Sequence, residues 1–280
     1  MHLRNIKLIA LDMDGTLLTD RKTVSPRSLR AIRTALERGV TVAPTSGRNL
    51  ETLPRELLEI PEIRYVITCN GARIWDRHSG AAIYERLIPL PTVLELMDRL
   101  KGYECVVEAS VADRLYISFR DAKRELLYVP PELRKYLKQL RWETEDVRDL
   151  LIEKGLDVDK MLVYTPDEEE QERVRRILAG RRDLAVSFSV KNNLEINADG
   201  SSKGDGLCEL ARRLGIEKSE IMACGDSGND LSMLETAGFS VAMGNAVPEA
   251  KKRADVVTLT NNEDGVAAAI EQYVLFGETV

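Results

Sequence analysis

The sequence predicts an α/β fold, a parallel-sheet core interrupted by an inserted α+β segment. Three observations carry that expectation. Short, uncharged, β-rich runs alternate with helical patterns over the first third of the chain, and the same alternation returns over the last third. Between them the strands alternate apolar with polar residues and come in hairpin-like pairs.

In chain order, IKLIAL (6–11) and VTVA (40–43) read as strands buried on both faces. Between them Ser25-Pro26 supplies an N-cap and a first helical residue, Leu29, Ile32 and Leu36 recur at helical spacing, and Gly39 ends the helix. A helical stretch over about 49–59 and a strand YVIT (65–68) complete βαβαβ, hence a parallel sheet. The middle, 87–196, gives hairpins of CVVEA with LYISF around Ser110–Arg114, and of AVSFSV with LEIN around Asn192-Asn193. A further strand, MLVY (161–164), and helices near 91–101, 131–139 and 167–179 fill the rest, the acidic run 167–173 reading as a solvated helix face. The last third alternates helix 203–213, strand IMAC (221–224), helix 230–237, strand FSVA (239–242), a helix near 248–253, strand VVTL (256–259) and a closing helix.

Composition narrows the function. A chain of 280 residues suits about two domains. At 44% hydrophobic and 31% charged residues it reads as globular. A net charge of −6, with no basic block interleaved with aromatics, argues against nucleic acid as a partner. The N-terminus reaches charged residues too early for a signal peptide, and no apolar run approaches the ~20 residues that span a bilayer. A cytoplasmic protein is expected, with no membrane partner. Cys69, Cys105, Cys208 and Cys224 form no CxxC pair and read as reduced thiols in apolar settings; His2 and His78 are the only histidines. A metal here must be held by oxygen, which means a hard cation.

Ligands of open α/β sheets bind beyond the carboxyl ends of the strands. The predicted strands lead, in order, into Asp12-Met13-Asp14, Thr45-Ser46-Gly47-Arg48, Asn70-Gly71 and Gly225-Asp226-Ser227-Gly228-Asn229-Asp230. Lys203 joins them only if its helix starts deep in the crevice. Asp12, Asp226 and Asp230 concentrate negative charge that a cation must neutralise, and Mg²⁺ suits carboxylates plus water and phosphate oxygens. Lys203 and Arg48 suit an anion, and Ser46 with the amides of the Asp14–Gly15–Thr16 turn adds donors. This combination fits phosphoryl transfer. Asp12, at the strand tip, can attack phosphorus. Asp14, two residues on and expected on the same face, can protonate the leaving oxygen and later take a proton from water. Gly15 lets the chain turn away without a side chain over the phosphate.

At these residues the sequence resembles the haloacid dehalogenase superfamily, in particular its Cof-type phosphatases with a type IIB cap. LDMDGTLL is similar to the nucleophile motif, TSGR to the second motif, SSKGDGL to the lysine motif and GDSGNDLSML to the metal motif. ITCNGA, SVAMGNA and VTLTNNEDGVAAAI extend the likeness through both core halves. The resemblance implies a Rossmann-like core of residues 1–86 and 197–280 and a cap of residues 87–196 that closes over it and selects the substrate. It implies Asp12 as nucleophile forming an aspartyl-phosphate and Asp14 as general acid/base. Asp12, the Asp14 carbonyl and Asp226 hold Mg²⁺, with Asn229 and Asp230 in support. Ser46 and Lys203 hold the phosphoryl group, and Thr45, Gly47, Arg48 and Asn70 line the substrate side. Whether Thr45 or Ser46 supplies the hydroxyl is open, Ser46 being favoured. The activity implied is Mg²⁺-dependent hydrolysis of small phosphorylated metabolites by a monomer or homodimer. A phosphomutase and a non-catalytic binding protein on the same scaffold are the alternatives. Arg114, Tyr116 and Lys191 are candidates for substrate contacts from the cap.

Overall fold

The run Leu8–Leu11 (β1) is buried at all four positions, as a strand with neighbours on both sides must be. The computed structural model describes residues 4–128, 134, 138, 140–188 and 192–276. Most of the helix expected near 131–139, and Lys191, lie outside the described residues. After β1 come α1 (Pro26–Glu37), β2 (Thr41–Pro44), α2 (Arg55–Leu58), β3 (Tyr65–Thr68), β4 (Arg73–Asp76) and β5 (Ala81–Glu85). The middle of the chain forms α3 (Leu90–Leu100), β6 (Val106–Val111), β7 (Arg114–Ser118), α4 (Phe119–Tyr128), β8 (Arg141–Thr144) and α5 (Val147–Lys154). It continues with β9 (Lys160–Tyr164), α6 (Glu168–Leu178), β10 (Leu184–Ser187) and β11 (Asn193–Ala198). The last third forms α7 (Lys203–Leu214), β12 (Ile221–Gly225), α8 (Leu231–Thr236), β13 (Phe239–Ala242), α9 (Pro248–Arg253), β14 (Val256–Val257) and α10 (Gly265–Ile270).

Two compact units result. One comprises Met1–Arg48, Leu53–Glu85 and Ser202–Val280, the other Asn49–Thr52 and Arg86–Ser201. The first unit holds a five-stranded parallel sheet in the order β14-β13-β12-β1-β2. β1 pairs in register with β12 and with β2, Leu8 standing opposite both Ile221 and Thr41. All these strands therefore deliver their following loops to one edge. α1 starts as its sequence dictates, with Ser25 accepting from the Ser28 amide at 3.0 Å ahead of Pro26.

The third strand departs from expectation. β3 touches the parallel sheet through a single bridge, Thr45 to Ile67, and otherwise heads an antiparallel sheet with β4 and β5. The helix expected over 49–59 is a 3₁₀ turn at Leu50–Thr52 and the single turn α2, because Pro54 interrupts the helical pattern. The Arg73–Glu85 hairpin shows no clean apolar–polar alternation and no tight Asn-Gly turn, which hid it.

The second unit carries a six-stranded sheet, β10-β11-β9-β6-β7-β8, antiparallel except for the β7–β8 pair. Both expected hairpins form. Ala112 and Asp113 (φ 50° and 63°) turn the first, and Asn192 (φ 63°) lies in the second. Val93 and Leu96 of α3, Leu151 of α5 and Val174 of α6 pack on Val111, Met161, Val163 and Ile196 of the sheet. Tyr116 belongs to that core, and the Arg114 guanidinium stacks 4.5 Å over the Trp142 ring. On α6 most acidic residues are exposed as expected, but Glu170 is buried and accepts from the Glu104 amide at 2.9 Å.

Candidate active site

The loops at the carboxyl edge of the parallel sheet bring Asp12, Asp226, Asp230 and Lys203 together. β1 ends at Leu11, and Asp12 follows directly with its amide held by the Cys224 carbonyl at 3.1 Å. Gly15 (φ 83°) bends the chain back so closely that a Cβ there would stand 2.4 Å from Asp226 Oδ2. The close approach to Asp226 is a requirement for glycine at this position that the sequence did not reveal. Thr16 then donates from Oγ1 to Asp226 Oδ1 at 2.9 Å.

Lys203 reaches the cluster because α7 begins at the crevice. Ser202 caps the helix in a reciprocal box with Asp205, and Gly71 (φ 96°) seats the helix start, since a Cβ on Gly71 would meet the Ser202 carbonyl at 2.0 Å. An ammonium at a helix N-terminus opposes the helix dipole. Here it is bound by Asp12 Oδ1 at 2.5 Å and Asp230 Oδ1 at 2.6 Å, with Lys203 only 1% exposed. The other oxygen of Asp230 accepts from the amides of Asp226 and Ser227, both at 2.9 Å, so Asp230 fastens the loop and the lysine at once.

Burial, then the Asp230 charge, push the Asp12 carboxyl well above its ordinary value even with Lys203 beside it. The same two causes raise Asp226 to about 6 against the Thr16 hydrogen bond. Lys203 is buried too, yet its two carboxylates hold it firmly protonated. One oxygen from each of Asp12, Asp226 and Asp230 lies within 4.8 Å of the others. Three carboxylates against one ammonium leave two negative charges, which matches a single divalent cation held by oxygen. The donor set therefore fits such a metal.

The second loop is sewn to the third. Ser46 donates its amide to Ile67 O, Asn70 donates to Ser46 O, and Cys69 to Arg48 O. Cys69, Asn70 and Gly71 all have positive φ, a strained run at the strand tip. Thr45 donates its hydroxyl to the Ala43 carbonyl at 3.1 Å, while Ser46 Oγ accepts from the Arg48 amide at 3.1 Å. Asn229 donates to Asn70 Oδ1 and accepts from Ser227, which ties the metal-motif loop to the Asn70 turn.

Asp14 stands apart from the carboxylate cluster in its partners. Strand alternation does not reach it, because β1 has already ended. Arg48 grips it with two nitrogens, Nε to Oδ2 and a terminal nitrogen to Oδ1, both at 2.7 Å, and Lys22 Nζ lies 2.6 Å from Oδ1. Burial alone would raise this carboxyl, but the Arg48 hydrogen bonds and charge, with Lys22, hold it well below the usual carboxylate range. Arg48, expected on the substrate side, thus meets Asp14. Thr16, expected to offer only its backbone amide, gives that to the Met13 carbonyl at 3.3 Å and contributes its side chain instead, and Lys22 carries no role that the sequence pattern assigns. Thr16 sits inside the DGT run and could have been suspected, whereas nothing marks Lys22, which has φ 61°. The cysteines are all free. Cys69, Cys105 and Cys224 are buried and Cys208 is exposed, unlike the apolar setting expected for all four.

The chain matches the haloacid dehalogenase-like hydrolase family over residues 9–270 and belongs to it. It is 33% identical over 272 residues to the 5-amino-6-(5-phospho-D-ribitylamino)uracil phosphatase YcsE of Bacillus subtilis, covering 97% of each chain. It is 28% identical to the pyridoxal phosphate phosphatase YbhA of Escherichia coli, over 96% of this chain and 99% of that one. Among solved structures, a haloacid dehalogenase-like hydrolase from B. subtilis superposes with a TM-score of 0.85 at 30% identity, covering 96% of this chain and all of the other. Among the described residues no helix is long and apolar enough to cross a membrane.

Proposed function

We propose that the protein is a Mg²⁺-dependent phosphomonoesterase that cleaves small phosphorylated metabolites through an aspartyl-phosphate on Asp12. The observation that carries this reading is the buried Lys203, bonded to Asp12 and Asp230 inside an all-oxygen cluster with charge left for one divalent cation. Such a site suits an anion that arrives at a metal and a fixed ammonium. The two named relatives act on a phosphorylated ribitylaminouracil and on pyridoxal phosphate, which supports a small phosphomonoester as substrate class. We place the protein in the cytoplasm as a monomer or homodimer, with residues 1–86 and 197–280 as core and 87–196 as cap.

Asp12, the Asp14 carbonyl and Asp226 are the groups that would hold Mg²⁺, which would supply positive charge to the phosphoryl oxygens. Asp12 forms a bond to phosphorus as the bond to the leaving oxygen breaks. Asp14 gives that oxygen its proton, then removes one from the water that releases phosphate. Lys203 balances charge on Asp12 and the phosphoryl group. Ser46 is the better hydroxyl donor, because its oxygen accepts from Arg48 and keeps its proton to give, while Thr45 has committed its own to Ala43. Gly47 and Asn70 shape the loop wall beside it, and Asn229 and Asp230 hold the Asp226 loop. Asp14 takes up a proton from solvent once Arg48 and Lys22 turn from it toward the entering phosphate dianion, since burial alone raises its carboxyl, and that is the proton it gives to the leaving oxygen.

Phosphate release from a panel of sugar, nucleotide and vitamin phosphates is expected with Mg²⁺ and is expected to vanish with EDTA. Release undiminished by EDTA would remove the metal from the mechanism. A pH dependence is expected as well. Mg²⁺ needs ionised Asp226, and protons compete with it once pH falls below about 6. Calorimetric titration should find an affinity that falls with pH, by at least about tenfold per unit below about 6, where protons compete at Asp226 as well as at the raised Asp12. An affinity flat down to about pH 5 would contradict the raised Asp226.

A further inference from the structure

The loop that leaves Asp14 returns to it. Gly15 follows Asp14, and Lys22 closes the excursion with its ammonium 2.6 Å from Asp14 Oδ1. Lys22 adopts φ 61°, a left-handed conformation that a non-glycine residue keeps only where the surroundings enforce it. Locally its amide donates to the Thr19 carbonyl at 2.8 Å in a turn closed by the Thr19 amide on the Thr23 carbonyl at 3.0 Å, and that turn is tied down by three asparagines near the other end of the chain. Asn245 follows β13 and lies in the MGNA run; Asn261 and Asn262 follow β14 in the TNNEDG run.

Asn245 donates from Nδ2 to the Gly15 carbonyl at 2.7 Å and accepts at Oδ1 from the Asn261 amide at 2.9 Å. Asn261, 6% exposed, donates to the Leu18 carbonyl at 2.9 Å and to Asp20 Oδ1 at 3.1 Å. Asn262 exchanges two bonds with Asp20, donating to Oδ2 at 2.9 Å and accepting from the Asp20 amide at 3.1 Å. The carbonyls of Gly15 and Leu18 lie between Asp14 and Lys22, so these bonds fix both approaches to the Asp14 carboxyl. An exposed asparagine with donor and acceptor both spent on backbone has a placement to maintain. Two strand-following loops of the parallel sheet meet there, which is why residues 230 positions apart can bond.

We propose that Asn245 and Asn261 are positioning residues for the acid–base step, bracing the Gly15–Lys22 loop so that Asp14 reaches the leaving-group oxygen. This rests on the phosphatase reading above. They touch no reacting atom and act through the Gly15 and Leu18 carbonyls. A general acid matters most when the leaving group is poor, so the brace has a signature that loss of stability does not share.

The test compares kcat/KM, which reports transfer to Asp12, for phenyl phosphate and 2,4-dinitrophenyl phosphate. In Asn245→Ala the phenyl ester is expected to lose about tenfold and the dinitrophenyl ester less than about twofold, a part of the ~10²–10⁴ that a general acid supplies. Asn245→Asp keeps the acceptor for Asn261 and sets an anionic oxygen against the Gly15 carbonyl in place of the donor; it should give the same split between the two esters. Inhibition by inorganic phosphate should be unaltered in both. Equal losses on the two esters, or none on either, would overturn the brace while leaving the phosphatase reading intact. Wild-type protein that cleaves neither ester would overturn both.

Discussion

Asp12→Asn is expected to abolish turnover, lowering phosphate release by on the order of 10⁴-fold or more, as deletion of a nucleophile does. The substitution keeps shape and removes the attacking oxygen's charge. Its effect on stability should have the opposite sign. In the metal-free protein burial and the Asp230 charge push Asp12 above its unfolded value. A carboxyl raised on folding favours the folded state at low pH, and that contribution is lost as pH rises through the folded-state value. At about pH 7.5 Asp12 therefore weighs against the metal-free fold, and the amide relieves it. Thermal melting in EDTA should show the Asp12→Asn variant at least as stable as wild type near that pH, with the advantage shrinking toward about pH 5. Near-normal phosphate release by that variant would remove Asp12 from the role of nucleophile. A lowered melting temperature at the higher pH would instead mean that the Lys203 pairing outweighs the burial cost.

The parts of the site that were legible in the sequence are those fixed by local rules. Short buried strands leading into Asp12, Thr45 and Asp226 announce where loops leave a parallel sheet, and the helical pattern over 203–213 announces a helix that opens with Lys203. The cap hairpin at Ser110–Arg114 was readable because Asp113 tolerates the left-handed turn. The hidden parts depend on tertiary contact. Arg48 reads as a free cation suited to an anion until the fold sets Asp14 against it. Lys22 has no periodic or motif signal at all. The asparagines of MGNA and TNNEDG belonged visibly to the family pattern, but their partners, Gly15 and Leu18, are more than two hundred residues away. The β4–β5 hairpin was missed for another reason. Its residues are mostly half-exposed and give no clean alternation, so only pairing with β3 defines it.

Lys203→Met separates the electrostatic account of the site from its catalytic account. Methionine fills the space of the lysine stem at α7's first residue but cannot answer Asp12 and Asp230, both within 2.6 Å of the ammonium. Removing one partner of a buried pair leaves uncompensated charge and typically costs about 3–5 kcal/mol. For a chain of this size that is a fall of roughly 10 °C in melting temperature. The cost should be greatest at about pH 7–8 in EDTA. It should shrink toward about pH 5, where the orphaned Asp12 carboxyl, already raised by burial and the neighbouring charge, can take up a proton more readily still without the ammonium. Mg²⁺ should restore part of the stability, since it binds the folded state alone and answers the same carboxylates. It should not restore turnover, which needs an ammonium to steady the attacked phosphoryl group and is expected to drop at least about 10³-fold. Recovery of both properties on adding Mg²⁺ would mean that the metal alone neutralises the cluster, and that Lys203 is a structural counter-ion with no part in the chemistry. Recovery of stability without activity assigns it both tasks, which is what a lysine buried between the attacking carboxylate and the loop-fastening one is built to perform.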